Sequence, residues 1–330
     1  MISRGIQAMK RRHLLSVATA ALPGAALAQS GAQSGAWPQR PINMIVAFPA
    51  GGGTDVAART VARFLERELG QPIVVNNRGG AAGDIGWTEM ARSQPDGYTI
   101  GFINTPNVLT NPIERRTSYS LDNFAPIANI VDDPSSFFVK GDSPLRNVAD
   151  LVAYARANPD SATYGTTGIG SDDHLAALAL ERVAGIKLTH VPFTGAAPVR
   201  TAVLGGQIMI GSMNMGEGIA DMRNGQLRPL GQMSETRWSE AAEVPTFREQ
   251  GFDLVQSSMR GLAAPAGVPA EVRTRLAQAT EATIRNPEFR RLAAQQALPL
   301  RFLGPDEYAT VLREERGRLE ALWRAHPWKE

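Results

Sequence analysis

Apolar residues follow two spacings along the chain, and the switches between them predict its elements. Residues 42–48 form an almost unbroken apolar, partly β-branched run, which reads as a buried strand ended by Pro49. Beyond Asp55, Val61, Phe64, Leu65 and Leu69 recur at helical spacing, and Gly70-Gln71-Pro72 is a helix stop. The alternation continues with a strand over 72–76, a glycine-rich turn over 77–86, a helix over 87–92 and a strand over 98–103. Residues 127–139 are long, apolar and extended. A helix over 150–158 and a strand over 162–164 then lead to a second glycine-rich turn over 165–171. A helix over 172–184 follows, with Leu175, Leu178, Leu180 and Val183 as its buried face. Strands are predicted over 187–191, 207–210, 227–233, 252–255 and 262–264, with a helix opening at 195–198. Helices over 269–285, 287–296 and 305–325 close the chain. The expected class is α/β, with parallel strands flanked by helices.

Two strand–glycine loop–helix units, one in each half, are the useful result. Gly51, Gly52 and Gly53 between a strand and a helix leave backbone N–H groups bare at the positive end of a helix dipole, which makes an anion site. A β-branched residue at Gly52 would block that approach and resist a positive φ. The plainer reading is a flexible turn with Thr54 or Asp55 as helix N-cap. No G-x-G-x-x-G and no Gly-Lys-Ser/Thr follows a strand, so the anion is a carboxylate or small oxyanion rather than a polyphosphate. Ligands of open parallel sheets bind beyond the carboxyl ends of strands, where both loops lie. Two lobes facing each other there would enclose a ligand.

Composition narrows this further. A chain of 330 residues suffices for two domains, and the absence of cysteine excludes disulfides, thiolate metal sites and a Cys nucleophile. The net charge of +2 misleads, because Arg4, Lys10, Arg11 and Arg12 lie in the first 28 residues with no acid among them. The remainder has 30 basic against 32 acidic side chains and no footprint for nucleic acid. Those 28 residues read as a signal peptide: a basic start, an apolar run and Ala26-Leu27-Ala28 before a cut at Gln29. The expectation is a cleaved, exported, periplasmic protein, by the Sec or the twin-arginine route, with 29–36 as a disordered lead-in.

Phe48-Pro49-Ala50-Gly51-Gly52-Gly53-Thr54-Asp55, followed by Gly70-Gln71-Pro72-Ile73-Val74-Val75-Asn76-Asn77-Arg78, resembles the opening of the solute receptors of tripartite tricarboxylate transporters, the Bug proteins. Asn76 to Gly86, Pro95-Asp96-Gly97-Tyr98-Thr99, Tyr164 to Leu175, His190 to Gly195, Val244-Pro245-Thr246-Phe247 and Gly261 to Gly267 are similar to later segments of that family, in order. The resemblance implies a two-lobed type II periplasmic-binding-protein fold, each lobe a mainly parallel sheet with helices, and no catalytic role. It implies lobes of 37–133 plus 256–330 and of 134–255, and a monomer that delivers a small carboxylate to membrane transporter subunits. Carried over by position, the binding residues are Phe48, Ala50, Gly51, Gly52 and Asp55 from the first loop, and Thr166, Thr167, Gly168, Ser171 and His174 from the second. The pattern departs at Met209, Asp84 and Met259, where the family has an acid, an asparagine and commonly a tryptophan. A cleft-facing Met209 or Met259 would make the pocket more apolar.

Other chemistry is thinly supported. His174 and His190 are the histidines between the signal and the tail, and no acid or His cluster has metal-ligand spacing. His174 reads as a hydrogen-bonding residue rather than a base, and Asp55 as a cap that ties the glycine loop. Ser171 does not sit in G-x-S-x-G. Asn104 and Asn214, each beyond a strand, are candidate ligand contacts because an amide donates and accepts. Arg260 is the cation that could meet a second carboxylate, the plainer reading being a surface residue. No cofactor is expected. The rival readings are a receptor that presents its ligand to a sensor kinase and a secreted enzyme.

Overall fold

The computed structural model describes residues 37–328. The expected signal peptide, its cleavage after Ala28 and the lead-in lie outside them. In chain order the elements are β1 (Ile42–Val46), α1 (Gly53–Leu69), β2 (Ile73–Asn77), α2 (Asp84–Ala91), β3 (Thr99–Asn104), α3 (Asn107–Glu114) and β4 (Phe124–Lys140). The middle of the chain gives α4 (Val148–Ala157), β5 (Thr163–Thr166), α5 (Asp172–Ala184), β6 (Thr189–Pro192), α6 (Ala196–Leu204), β7 (Ile210–Asn214), α7 (Met215–Arg223) and β8 (Leu227–Gln232). It closes with β9 (Ser257–Pro265), α8 (Ala270–Arg285), α9 (Pro287–Gln295), β10 (Leu300–Leu303) and α10 (Pro305–Ala325).

The strands run in the order β2-β1-β3-β9-β4-β7-β5-β6, with β8 and β10 also on β4. Each end is a parallel triplet, β2-β1-β3 and β6-β5-β7, as short strand–helix–strand connections require. Long β4 and β9 join the triplets through antiparallel pairing. Along β4 the partner changes within one step: Pro134 pairs with Ser257 of β9 and Ser135 with Asn214 of β7. Helices cover both faces of each triplet. One apolar cluster buries Val61, Phe64 and Leu65 of α1 against Leu276 of α8 and Phe289 of α9, and another buries Trp87 of α2 with Leu312 and Leu319 of α10. In the other half, Leu151 and Leu180 pack under one face and Val199 and Ile219 under the other.

Several expectations need correction. The segment 252–255 is no strand: Phe252 donates its amide to Phe247 O and Leu254 to Phe252 O, so local turns replace a ladder. The strand expected over 207–210 begins at Ile210, because Met209 N donates to the Thr163 hydroxyl before pairing starts. Val183 is 56% exposed, since the buried stripe of α5 runs through Leu175, Ala176, Leu180 and Ala184 and leaves it to the side. Helices α3 and α7 were not foreseen; Pro112 inside one and Gly216 and Gly218 inside the other hide them from propensity. No helix among the described residues is long and apolar enough to cross a membrane.

Candidate functional site

Helix α1 starts where β1 ends, with Gly52 in extended backbone as its N-cap and neither Thr54 nor Asp55 capping. Positive φ belongs to Gly51, at 84°, and not to Gly52, at −82°. Asp55 instead ties the turn down. Its Oδ2 accepts from Gly51 N at 3.0 Å and from Arg59 Nε at 3.1 Å, and its Oδ1 from Asn77 Nδ2 at 3.0 Å. Burial works against its charge, but Arg59, the Gly51 amide and Asn77 together hold the carboxyl below its ordinary range.

The turn faces a narrow cavity of about 40 Å3. Phe48, Gly52, Gly53 and Thr54 of the turn line it together with Asn104, Asn107 and Ser258, and with Thr167, Asp172, Ala196, Asn214 and Glu217. Of the sequence-predicted residues, Phe48, Gly52, Asn104, Thr167 and Asn214 meet here. Gly51 lines a second cavity of about 270 Å3, which shares Gly52, Gly53, Glu217 and Arg260 with the first. Ala50 is exposed, and Ala50, Asp55, Thr166, Gly168, Ser171 and His174 line neither cavity.

The second loop is turned inwards. Ser171 caps α5 by accepting from His174 N, and Thr166 Oγ1 contacts His190 Nε2 at 2.7 Å. Thr167 Oγ1 donates to Asp173 Oδ2 at 2.6 Å, so even the hydroxyl on the cavity wall has a partner in the protein. His174 accepts from Gly170 N and stacks on His190 with centroids 4.3 Å apart. Burial first, and then the neighbouring His190, push His174 down to about 3, so it is neutral near physiological pH and works as a structural acceptor.

Arg260 overturns the surface reading: it is 2% exposed and lines the cavity. Its Nη1 donates to Asp133 Oδ2 at 2.9 Å, and its Nη2 to Asn214 Oδ1 at 2.7 Å and Glu217 Oε1 at 3.1 Å. Glu217 also accepts from Gly53 N at 3.3 Å, so the start of α1 already holds a protein carboxylate. Asp172 accepts from Ser135 and from Asn214 Nδ2. Burial pushes Asp133 up to about 7 although Arg260 opposes it, and burial likewise raises Asp172 and Asp173. Sequence reading missed Asn107, Asp172 and Glu217. Only Glu217 left a signal, the Asn-x-x-Glu capping box that opens α7. Neither Met209 nor Met259 lines a cavity described above, so neither makes the cleft apolar. Asp84 opens α2 and accepts from Thr88. Among the described residues no group of three or more His, Cys, Asp or Glu could hold a metal ion.

Known proteins are similar to this chain in sequence and in fold. The UPF0065 protein of the gbd 5′ region of Cupriavidus necator is 31% identical over 95% of this chain and 98% of its own length. BugT of Bordetella pertussis is 32% identical over 84% of this chain and 87% of its own. Among solved structures, one of a periplasmic transporter superposes with a TM-score of 0.85 at 30% identity, covering 89% of this chain and 99% of that one. Rpa4515 of R. palustris with adipate gives 0.83 at 28% identity over 87% and 97%. MatC of Rhodopseudomonas palustris with bound malate gives 0.80 at 25% over 87% and 99%. These are two-lobed periplasmic-binding-protein folds, and this chain has the same α/β architecture. The model of the tripartite tricarboxylate transporter family receptor matches residues 57–325. The chain therefore belongs to the tripartite tricarboxylate transporter receptor family, one of solute-binding receptors and not of enzymes.

Proposed function

We propose that this chain is an exported, periplasmic receptor that encloses a small organic carboxylate between two lobes and delivers it to the membrane subunits of a tripartite transporter. The lobes are 37–133 with 256–330, and 134–255, hinged where β4 passes from β9 to β7. The observation that carries this reading is the cavity where the β1–α1 turn meets Thr167 and Ala196, with the amino end of a 17-residue helix at its edge. Such an end favours an anion, and the relatives that hold malate and adipate supply the ligand class. A thermal-shift screen of organic acids tests it. A ligand at about 100 times its Kd adds about 2.7 kcal/mol to stability, enough to raise the midpoint visibly. The expected result is a rise with one or a few small carboxylates. A flat response to mono-, di- and tricarboxylates alike would overturn the proposal.

A further inference from the structure

The far end of the ligand is written in the charges of the cavity wall. Among the described lining residues Arg260 is the one cation, and both its terminal nitrogens are occupied by Asp133, Asn214 and Glu217. Against it stand Asp172 and Glu217 on the wall. Asp133 lies behind through its pair with Arg260, and Asp173 follows Asp172 on α5. Burial raises Asp172 and Asp173, and proximity to Asp172 and to Glu217 raises Asp173 further, so these acids already crowd one another.

Three polar atoms of buried lining residues have no partner in the protein: Arg260 Nε, Asn107 Nδ2 and Asn104 Oδ1. Their residues are only 2%, 3% and 3% exposed, so each atom is free to bond a ligand group, or a water that the ligand displaces. Two are donors, Arg260 Nε and Asn107 Nδ2, which suffice for one carboxylate. The third is an acceptor in a lining that also carries the carboxylates of Asp172 and Glu217. A second ligand carboxylate would find no free cation and would lie against acids in a desolvated site, where like charges repel strongly.

We infer that the ligand carries a single carboxylate and that its other end is a hydrogen-bond donor, an ammonium or a primary amide, received by Glu217, Asp172 and Asn104 Oδ1. This rests on the carboxylate-receptor reading and narrows it. A donor end satisfies the free lone pairs and neutralises the excess negative charge. A dicarboxylate does neither.

Calorimetric titration near neutral pH with succinate, its monoamide succinamate, 4-aminobutanoate and butanoate decides the matter, because succinate and succinamate differ only in one terminal group. Succinamate should bind at least about fivefold tighter than succinate, close to 1 kcal/mol. Glu217→Gln should tighten succinate, since the variant removes charge but keeps the size of the side chain. The wild-type ratio stands on its own if the variant folds poorly, which its thermal midpoint reports. A preference below about fivefold overturns the inference and leaves the receptor reading intact, as does a folded Gln variant whose succinate affinity is unchanged. Failure of all four probes at millimolar concentration overturns the inference, and a flat thermal screen of organic acids beside it overturns the receptor reading as well.

Discussion

The two glycine-rich loops look alike in sequence and have different tasks. Both follow a parallel strand and open a helix. The first presents Gly52, Gly53 and Thr54 to the cavity and is anchored from behind by Asp55. In the second, the Thr166, Thr167 and Ser171 side chains bond to His190, Asp173 and the α5 amides, and Thr167 alone reaches the wall. The difference lies in what stands opposite. The first loop touches Glu217 only through the Gly53 amide, at 3.3 Å, and otherwise borders the cavity, whereas the second packs on α3, where Thr110 Oγ1 donates to Gly170 O at 2.7 Å. A glycine loop is a wall or a scaffold according to its neighbours, and its own sequence does not say which.

The largest effect should come from the cluster that keeps Glu217 at the first loop. Arg260→Met would leave Asp133 and Glu217 buried without their cation. Breaking a buried pair in that way costs about 3–5 kcal/mol. Urea unfolding should show a loss of that size. A loss below about 1 kcal/mol would mean that the cluster does not brace the first loop at all.

Acid and base separate the loops next. Burial holds Asp172 and Asp173, at the second loop, above their ordinary range, and Asp133 up to about 7. Unfolded aspartates titrate near 3.9. Between about pH 4 and 7 the folded state therefore keeps protons that the unfolded chain has released, and stability falls as pH rises through that window. Asp55 of the first loop is depressed instead, so its contribution is present above about pH 4 and is lost as pH falls below it. Each fully retained proton changes stability by about 1.4 kcal/mol per pH unit, so the urea midpoint should be higher at pH 5 than at pH 7.5. Replacing both Asp172 and Asp173 with Asn should reduce that slope to the part Asp133 supplies, while Asp55→Asn should leave it. The opposite pattern would reverse the electrostatic roles given to the loops.

Periodicity revealed α1, α5 and α10 because each carries an apolar stripe between clear stops, and α5 fell on 172–184 as expected. It failed at α7, where Gly216 and Gly218 lower helix propensity, and with that helix went Glu217. The cavity was legible as far as backbone could mark it: Gly52 and Asn104 follow from strand ends. Asp172 was not, and Arg260 stood out only as a cation whose plainer reading was a surface residue, since a lone charge in a strand or in the first turn of a helix reads as solvated until the chain crossing at β4 and β9 brings four acids to one place. Long-range pairing carries that information, and local pattern does not.

The smallest effects make the cleanest division between the loops. Gly52 sits at φ −82° and a Cβ there would meet nothing closer than Pro49 O at 3.7 Å, so Gly52→Val should fold within about 0.5 kcal/mol of the parent. Its methyls would enter the cavity, and affinity for an acid found in the thermal screen should fall about tenfold, or about 1.4 kcal/mol. Ser171→Ala should do the reverse. It removes the N-cap of α5, which costs about 1 kcal/mol of stability, and touches no cavity wall, so affinity should stay within about twofold. Denaturant melts and calorimetry on the two variants would separate wall from scaffold. If Ser171→Ala lost affinity and kept its stability, the second loop's hydroxyls would belong to the binding surface, and the inward turn of that loop would have to open when ligand enters.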